Sequence, residues 1–172
     1  MFLQPPTPAD EREFVAAMRA SRALHRPWMQ MPESAAQYRA YVQRCTSERF
    51  AGYLVRRRED GALAGVFNIN EIVRGRMQSG YLGYAAVRAL AGQGYMTEGL
   101  QLVMREAFTV LKLHRLEASV QPGNAASIAL VRRCGFRCEG FSPRYLKIGG
   151  RWCDHERWAI LAETWREHRP VY

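Results

Sequence analysis

Lysine is almost missing from this sequence: only Lys112 and Lys147 stand among its 25 basic residues, which face 16 acidic ones for a formal charge of +9 over 172 residues. No apolar run approaches the roughly 18 residues that a bilayer-spanning helix needs. The start, Met1-Phe2-Leu3-Gln4-Pro5-Pro6, lacks the basic opening and long apolar stretch of a secretory signal. No membrane association and a cytoplasmic location are therefore expected. Cysteine is scarce too, at four residues. Cys134 and Cys138 have no second Cys or His pair at zinc-site spacing. No metal is expected, and the thiols read as core or half-buried groups. Repeats, low-complexity stretches and linkers are also lacking. The length suits one domain over residues 1–172 with a substantial core.

What is present is a basic, ordinary globular composition, 48% apolar and 24% charged. Residues 1–80 hold 12 basic and 8 acidic side chains and residues 81–172 hold 13 and 8, so the charge belongs to the folded body. An arginine-rich body attracts anions: a nucleotide cofactor, an acidic protein or RNA. Thr7 and Pro8 read as the cap and first position of a helix, with Phe14, Val15, Met18 and Leu24 on its apolar stripe. His25-Arg26-Pro27-Trp28 breaks it. A capping box at Ser34 opens a second helix through Tyr41, Val42 and Cys45. Strand-like runs Tyr53 to Arg57 and Leu63 to Ile69 flank the hairpin signal Asp60-Gly61, and a third run covers Tyr81 to Val87. Met96, Leu100, Val103, Met104, Ala107, Phe108 and Leu111 form one continuous face of a long helix. A strand from Leu116 to Val120 follows, then a short helix capped by Asn124 and stopped at Gly135. Two strands, near Phe136 to Lys147 and Trp152 to Leu161, turn at Gly149-Gly150. The strand–helix–strand unit implies a parallel pair, and the class is α/β with a mixed sheet.

The chemistry concentrates at Gly92-Gln93-Gly94, between a strand and the long helix. A helix start offers unpaired N–H groups and partial positive charge, a natural phosphate site, and glycine permits positive φ there. The third glycine and the ribose-binding acid of a dinucleotide fingerprint are missing, as is the Gly-Lys-Ser/Thr ending of a P-loop. The pattern alone is compatible with a plain tight turn.

Further motifs surround it in order. They are Ile72-Val73-Arg74-Gly75, Tyr81-Leu82-Gly83-Tyr84, Gly92 through Glu98, Asn124 with Ser127, Gly135-Phe136, Glu139-Gly140, Tyr145-Leu146, and Gly149-Gly150-Arg151-Trp152 with Asp154-His155. Together they resemble the GCN5-related N-acetyltransferases, specifically the ribosomal-protein-alanine branch, over roughly residues 5–165. The resemblance implies a mostly antiparallel twisted sheet with a V-shaped parallel opening, flanked by helices, and acetyl-CoA as co-substrate. The pantetheine arm would pair with the backbone of Ala85, Ala86 and Val87. The pyrophosphate would accept from N–H groups among Gly92, Gln93, Gly94, Tyr95, Met96 and Thr97. The Gln or Arg usual three residues before the first glycine is here Ala89.

The same resemblance brings Asn124 to the pantetheine or acetyl end, alongside its role as a plain helix cap. The tyrosine that protonates the thiolate in many relatives is here Val131. Ser127 is the branch's candidate for that task, or a local helix hydrogen-bonder. Glu71 or a water is the candidate base. Tyr145, counted with Glu71 and Ser127 among the catalytic candidates, is placed along the acceptor cleft with Asp154 and His155, Arg144 adds positive charge there, and His25 and Trp28 shape its mouth. The implied acceptor is a primary amine, the N-terminal α-amine of a protein, acidic or ribosomal. Like-charge repulsion disfavours a polyamine. Rival readings are acetylation of a small amine, amino acid or antibiotic, and a non-catalytic acyl-CoA-binding protein. No specific nucleic acid is implied, and a homodimer through the edge of the last two strands is compatible.

Overall fold

The fold starts at a turn that the sequence marks clearly. After a short strand, β1 (Phe2–Gln4), Thr7 is extended and Pro8 opens a 3-10 turn over Pro8–Asp10. The Asp10 carboxylate accepts from the Thr7 N–H at 2.8 Å and the Thr7 hydroxyl at 2.7 Å. Helix α1 (Glu11–Ala20) follows and buries Phe14 and Met18. It stops at Ser21, whose hydroxyl donates back to the Ala17 carbonyl at 2.7 Å, a bond that competes with helix propagation. A separate short helix, α2 (Arg22–His25), carries Leu24, which is 40% exposed and off the expected core stripe. The computed structural model describes residues 1–26 and 28–167; Pro27, within the expected helix-breaking run, lies outside them.

Helix α3 (Ala35–Arg44) is capped by Ser34, whose side chain accepts from the Gln37 N–H, while Gln37 reaches back to the Glu33 N–H at 2.8 Å. Then come β2 (Ala51–Arg56), β3 (Leu63–Val73) and β4 (Ser79–Ala86). Helix α4 (Tyr95–Arg105) runs into a wider π turn over Glu106–Val110. The chain ends in β5 (Arg115–Val120), α5 (Ala125–Arg133), β6 (Arg137–Ile148), β7 (Arg151–Leu161) and α6 (Ala162–Glu167). The three-residue β1 and the short α6 are additions to the sequence expectation, both too brief to impose a periodicity.

The strands form one sheet in the order β1-β2-β3-β4-β5-β7-β6, antiparallel except for the β4–β5 pair. Both faces are covered, which is why β2 and β3 read as nearly continuous apolar runs. Val55, Phe67, Ile69 and Leu82 join α4 and α5 in one core, whereas Leu54, Val66, Ala85 and Val87 join α1 and α3 in the other. Gly99 lets α4 lie close: a Cβ there would sit 2.9 and 3.0 Å from the Val55 methyls. The outer strand β6 is irregular near Gly140 and again between Ser142 and Leu146, and carries Pro143, features that oppose continuous pairing with another strand. Cys134 is buried and Cys45 and Cys153 half-buried, but Cys138 is exposed because it lies on that edge strand. Among the described residues no helix is long and apolar enough to cross a membrane, and no cluster of His, Cys, Asp and Glu could hold a metal.

One buried ion pair ties these layers together. Arg56 of β2, 10% exposed in its side chain, lies 2.7 Å from Asp10 and 2.9 Å from the half-exposed Glu13. Burial acts to raise the Asp10 pKa, but the hydrogen bonds from Thr7 and Arg56 and the Arg56 charge outweigh it and hold the carboxyl below its ordinary value. A depressed carboxyl contributes stability above its unfolded pKa, about 4, which is lost as pH falls through the folded value. Asp10→Ala is expected to cost about 3 kcal/mol, since it leaves Arg56 buried with Glu13 alone. Thermal denaturation from pH 7 to pH 3 should show wild-type stability falling more steeply at the acid end than that of Asp10→Asn.

Candidate active site

The parallel pair is short. β4 and β5 are in register over four positions, from Ser79 opposite Arg115 to Leu82 opposite Ala118. Beyond Leu82, β4 stays paired with β3 as far as Ala86, and β5 stays paired with β7 as far as Val120. Each arm therefore follows its outer neighbour and a V opens between them.

The antiparallel alternation decides which backbone groups face this opening. The Val87 N–H donates to the Ala64 carbonyl at 2.9 Å, and the Val87 carbonyl accepts from Leu90 at 3.0 Å. Ala85, two residues earlier, is turned to β3 in the same sense. The N–H and C=O groups of Tyr84 and Ala86 point the other way, toward β5. Of Ala85, Ala86 and Val87, only Ala86 thus presents its backbone to the cleft, and Tyr84 takes the place of the other two. His25 holds the Ala86 carbonyl at 2.8 Å through Nε2. A carbonyl only accepts, so Nε2 carries the proton, and the buried Nδ1 has no hydrogen-bond partner among the described residues. His25 accordingly stands against the end of β4, on the side of Gly92 and Gly94.

After β4 a 3-10 turn over Arg88–Leu90 leads to the glycines. Ser21, where α1 broke, accepts from the Arg88 N–H at 2.9 Å and anchors this turn. Gly92 and Gly94 have φ of +79° and +85°, and a Cβ on either would meet nothing within 4 Å. Backbone conformation, not crowding, requires glycine here, and the space above the turn is open for a ligand. The first returning helical bonds are from Thr97 and Glu98 to the Gly94 carbonyl, at 2.9 and 3.2 Å. The N–H groups from Gly92 to Met96 precede them at the positive end of α4. The Gln93 side chain folds back on the Ala89 carbonyl, and the Tyr95 hydroxyl lies 3.5 Å from Arg57, so these two offer their backbone. The half-buried Met96 side chain packs over Gly65. Ala89 offers no side chain for a phosphate, and Arg133 of α5 places its guanidinium 3.3 Å from the Thr97 hydroxyl beside the same turn. Thirty-six residues separate the two, beyond the reach of motif reading.

Two cavities meet at this opening. One, of about 300 Å³, runs along Leu24, His25, Ala86, Gly92, Gly94 and Arg133. The other, of about 540 Å³, is lined by Asn70, Glu71, Tyr81, Tyr145, Leu146 and His155. They share Trp28, Met29, Tyr84, Asn124 and Ser127. Leu24, displaced from the core stripe, thus has a use as cavity wall. The shared residues lock one another: Asn124 accepts from the Ser127 N–H at 3.1 Å, and Gln121 donates to the Trp28 carbonyl at 3.1 Å. Tyr84 Oη and Ser127 Oγ are directly hydrogen-bonded across the V. Burial of Tyr84 pushes its phenol up to about 12, against a lowering contribution from Ser127, so Tyr84 stays protonated. It belonged to a family motif but carried no assigned role.

At the larger cavity the predicted residues separate. Glu71 sits at an irregular point of β3 with φ +46°, 68% exposed in its side chain and paired with Arg49 at 2.9 Å. Asp154 accepts from the Arg144 N–H at 2.7 Å and caps the β6 irregularity, and Arg144 is exposed at φ +48°. Neither lines a cavity wall. Tyr145 is at the surface and packs edge-on against His155, with ring centroids 6.2 Å apart. His155 is 3% exposed. The residues therefore fit a CoA-like ligand through an open glycine turn, a helix N-terminus, one arginine and a half-free strand edge. When bound there, acetyl-CoA supplies an acetyl group activated as a thioester. Arg133→Ala is expected to weaken acetyl-CoA binding roughly 5- to 30-fold, equivalent to about 1–2 kcal/mol. Calorimetry should show that difference shrinking at high salt.

A model of the acetyltransferase (GNAT) domain matches residues 1–137. The Bacillus subtilis protein named probable N-acetyltransferase YjcK is 42% identical over 102 residues, 59% of this chain and 56% of the relative. The Escherichia coli [ribosomal protein uS5]-alanine N-acetyltransferase is 34% identical over 111 residues, 64% of this chain and 57% of the relative. The chain thus spans little more than half the length of these curated relatives. Mycobacterium smegmatis RimJ, solved with CoA-disulfide, superposes with a TM-score of 0.86 at 28% identity, over 94% of this chain and 81% of that one. A Vibrio cholerae spermidine N-acetyltransferase shares the fold, with a TM-score of 0.82 at 20% identity over 96% of this chain and 97% of that one. Family model, sheet topology and cleft agree, and the chain belongs to the GNAT acetyltransferase family, whose N-acetyltransferases take their acetyl group from acetyl-CoA.

Proposed function

We propose that this protein transfers the acetyl group of acetyl-CoA to a primary amine, and that the amine is the N-terminal α-amine of a protein, a ribosomal one by the likeness to the uS5-alanine enzyme. The observation that carries this reading is the meeting of two separate cavities at Tyr84, Asn124 and Ser127. A donor thioester and an acceptor amine entering from opposite sides would come together there. This is the arrangement that direct transfer without a covalent enzyme intermediate requires.

The wall chemistry supports the choice of amine. Most of the acceptor lining is aromatic, apolar or uncharged: Trp28, Met29, Tyr81, Tyr145, Leu146 and Ile148 are among it. Glu71, at its rim, is engaged by Arg49. A polycationic amine would find no row of carboxylates to hold it, and the +9 body would repel it. A peptide end presents a single amine, which sheds its charge more readily against a largely aromatic and apolar wall. A negatively charged protein or one embedded in RNA is drawn by the same positive field.

Ser127 serves the sulfur side. Tyr84, kept protonated by burial, can serve as the donor in its hydrogen bond with Ser127 Oγ, and in that arrangement the serine's own hydrogen is free to donate where the sulfur departs. Asn124, by fixing the first turn of α5, holds Ser127 in place. No cysteine is needed as nucleophile, and Cys134 is unsuited to it because burial raises its thiol to about 11.

Peptides beginning with Ala or Ser, spermidine and free amino acids should be compared as acceptors. At least tenfold higher kcat/KM for the peptides is expected, and preference for spermidine or an amino acid would overturn the acceptor assignment. Acetyl-CoA that neither raises Tm nor binds would sink the reading as a whole. Ser127→Ala is expected to lower kcat 10- to 100-fold. Tyr84→Phe, which keeps the ring packed 5.3 Å from Phe67, should lower kcat less and add little to the serine variant.

A further inference from the structure

We propose that His155 takes the proton that the attacking amine loses. The inference rests on the acetyl-transfer reading above and assigns a base within that same site. The amine nitrogen forms its bond to the acetyl carbon, and the carbon–sulfur bond breaks with its electron pair going to sulfur. The thiolate is met by the Ser127 hydroxyl and protonated from water. The nitrogen's proton passes to His155 Nε2 and from there to solvent. Charge and atoms balance without any further reactant.

Three observations carry the assignment. The first is the tautomer. His155 Nδ1 lies 2.9 Å from the Cys153 carbonyl, which can only accept, so the neutral ring has its hydrogen on Nδ1 and a lone pair on Nε2. The second is place. The imidazole is 3% exposed and lines the acceptor cavity together with Ser127 and Tyr84. Beyond Val120, β5 no longer pairs with β7, so His155 stands where the V opens.

The third is the engagement of its rivals. Glu71 is at the solvent rim, bound to Arg49. Burial raises the Tyr81 and Tyr84 phenols, which leaves them as donors. On its own strand, Asp154 is held by the Arg144 N–H and Glu156 accepts from the Trp158 indole at 2.9 Å. From β6, Tyr145 packs edge-on against the imidazole and limits its rotation. Among the described residues that line this cavity, His155 is left as the buried group with a basic lone pair, since His25 lines the other cavity.

The test uses the full chain with acetyl-CoA and an Ala-initiated peptide, after the wild-type rate has established that acetyl transfer occurs. His155→Gln and His155→Ala should lower kcat by about 100-fold or more. Thermal stabilisation by acetyl-CoA should stay close to wild type, showing that the fold and the donor arm are intact. Added imidazole should restore turnover to His155→Ala about tenfold or more, a rescue that a packing role would not give. Turnover in His155→Gln within fivefold of wild type, a loss that imidazole leaves unchanged, or a larger loss in Glu71→Gln would each overturn the assignment.

Discussion

Everything at this site depends on β4 and β5 parting after four paired residues. A parallel ladder that continued would bury the backbone of Tyr84 and Ala86 against β5 and leave no cleft. Because each arm keeps its outer partner, the sheet loses few hydrogen bonds by opening, and the groups turned inward become available to a ligand. Side chains bridge the gap: Tyr84 on one arm bonds to Ser127 beyond the other, and Trp28 binds Gln121 near the end of β5.

The rest of the molecule holds that opening in shape. Ser21 ends α1 and anchors the turn after β4 with one hydroxyl, so the helix break and the placement of that turn share a cause. Gly99 brings α4 onto β2 and β3, which fixes where its positive N-terminus points. Arg56 joins the first helical layer to the sheet through Asp10. The basic body adds a field that favours anions, and Arg133, 3.3 Å from the Thr97 hydroxyl, stands beside the first turn of α4 after the Gly92 and Gly94 turn.

Much of the fold was legible in the residues. The α4 face repeats at helical spacing and is buried from Leu100 to Phe108 as expected, while Met96 and Leu111 at its two ends are half-buried. Asn124 caps α5 through its side chain, and the Gly135 stop and the Gly92/Gly94 turn have the positive φ that glycine favours. The break at Ser21 was not legible, since serine is tolerated within helices and its back-bond to Ala17 is one of several options. Nor were the irregularities of β6, where Arg144 adopts a positive φ that its residue type does not signal.

By itself the sequence determined the order of the main helices and strands, the mixed sheet, the glycine turn and the family, because these follow from local periodicity, caps and short motifs. Tertiary structure alone decided which groups share the cleft. It turned Ala85 and Val87 toward β3, put His25 against the end of β4, left Glu71 at the rim, and brought Tyr84 to Ser127 and Arg133 to Thr97. The physical reason is that strand alternation and long-range packing set side-chain direction, and neither is written in the spacing of residues 36 or 43 positions apart.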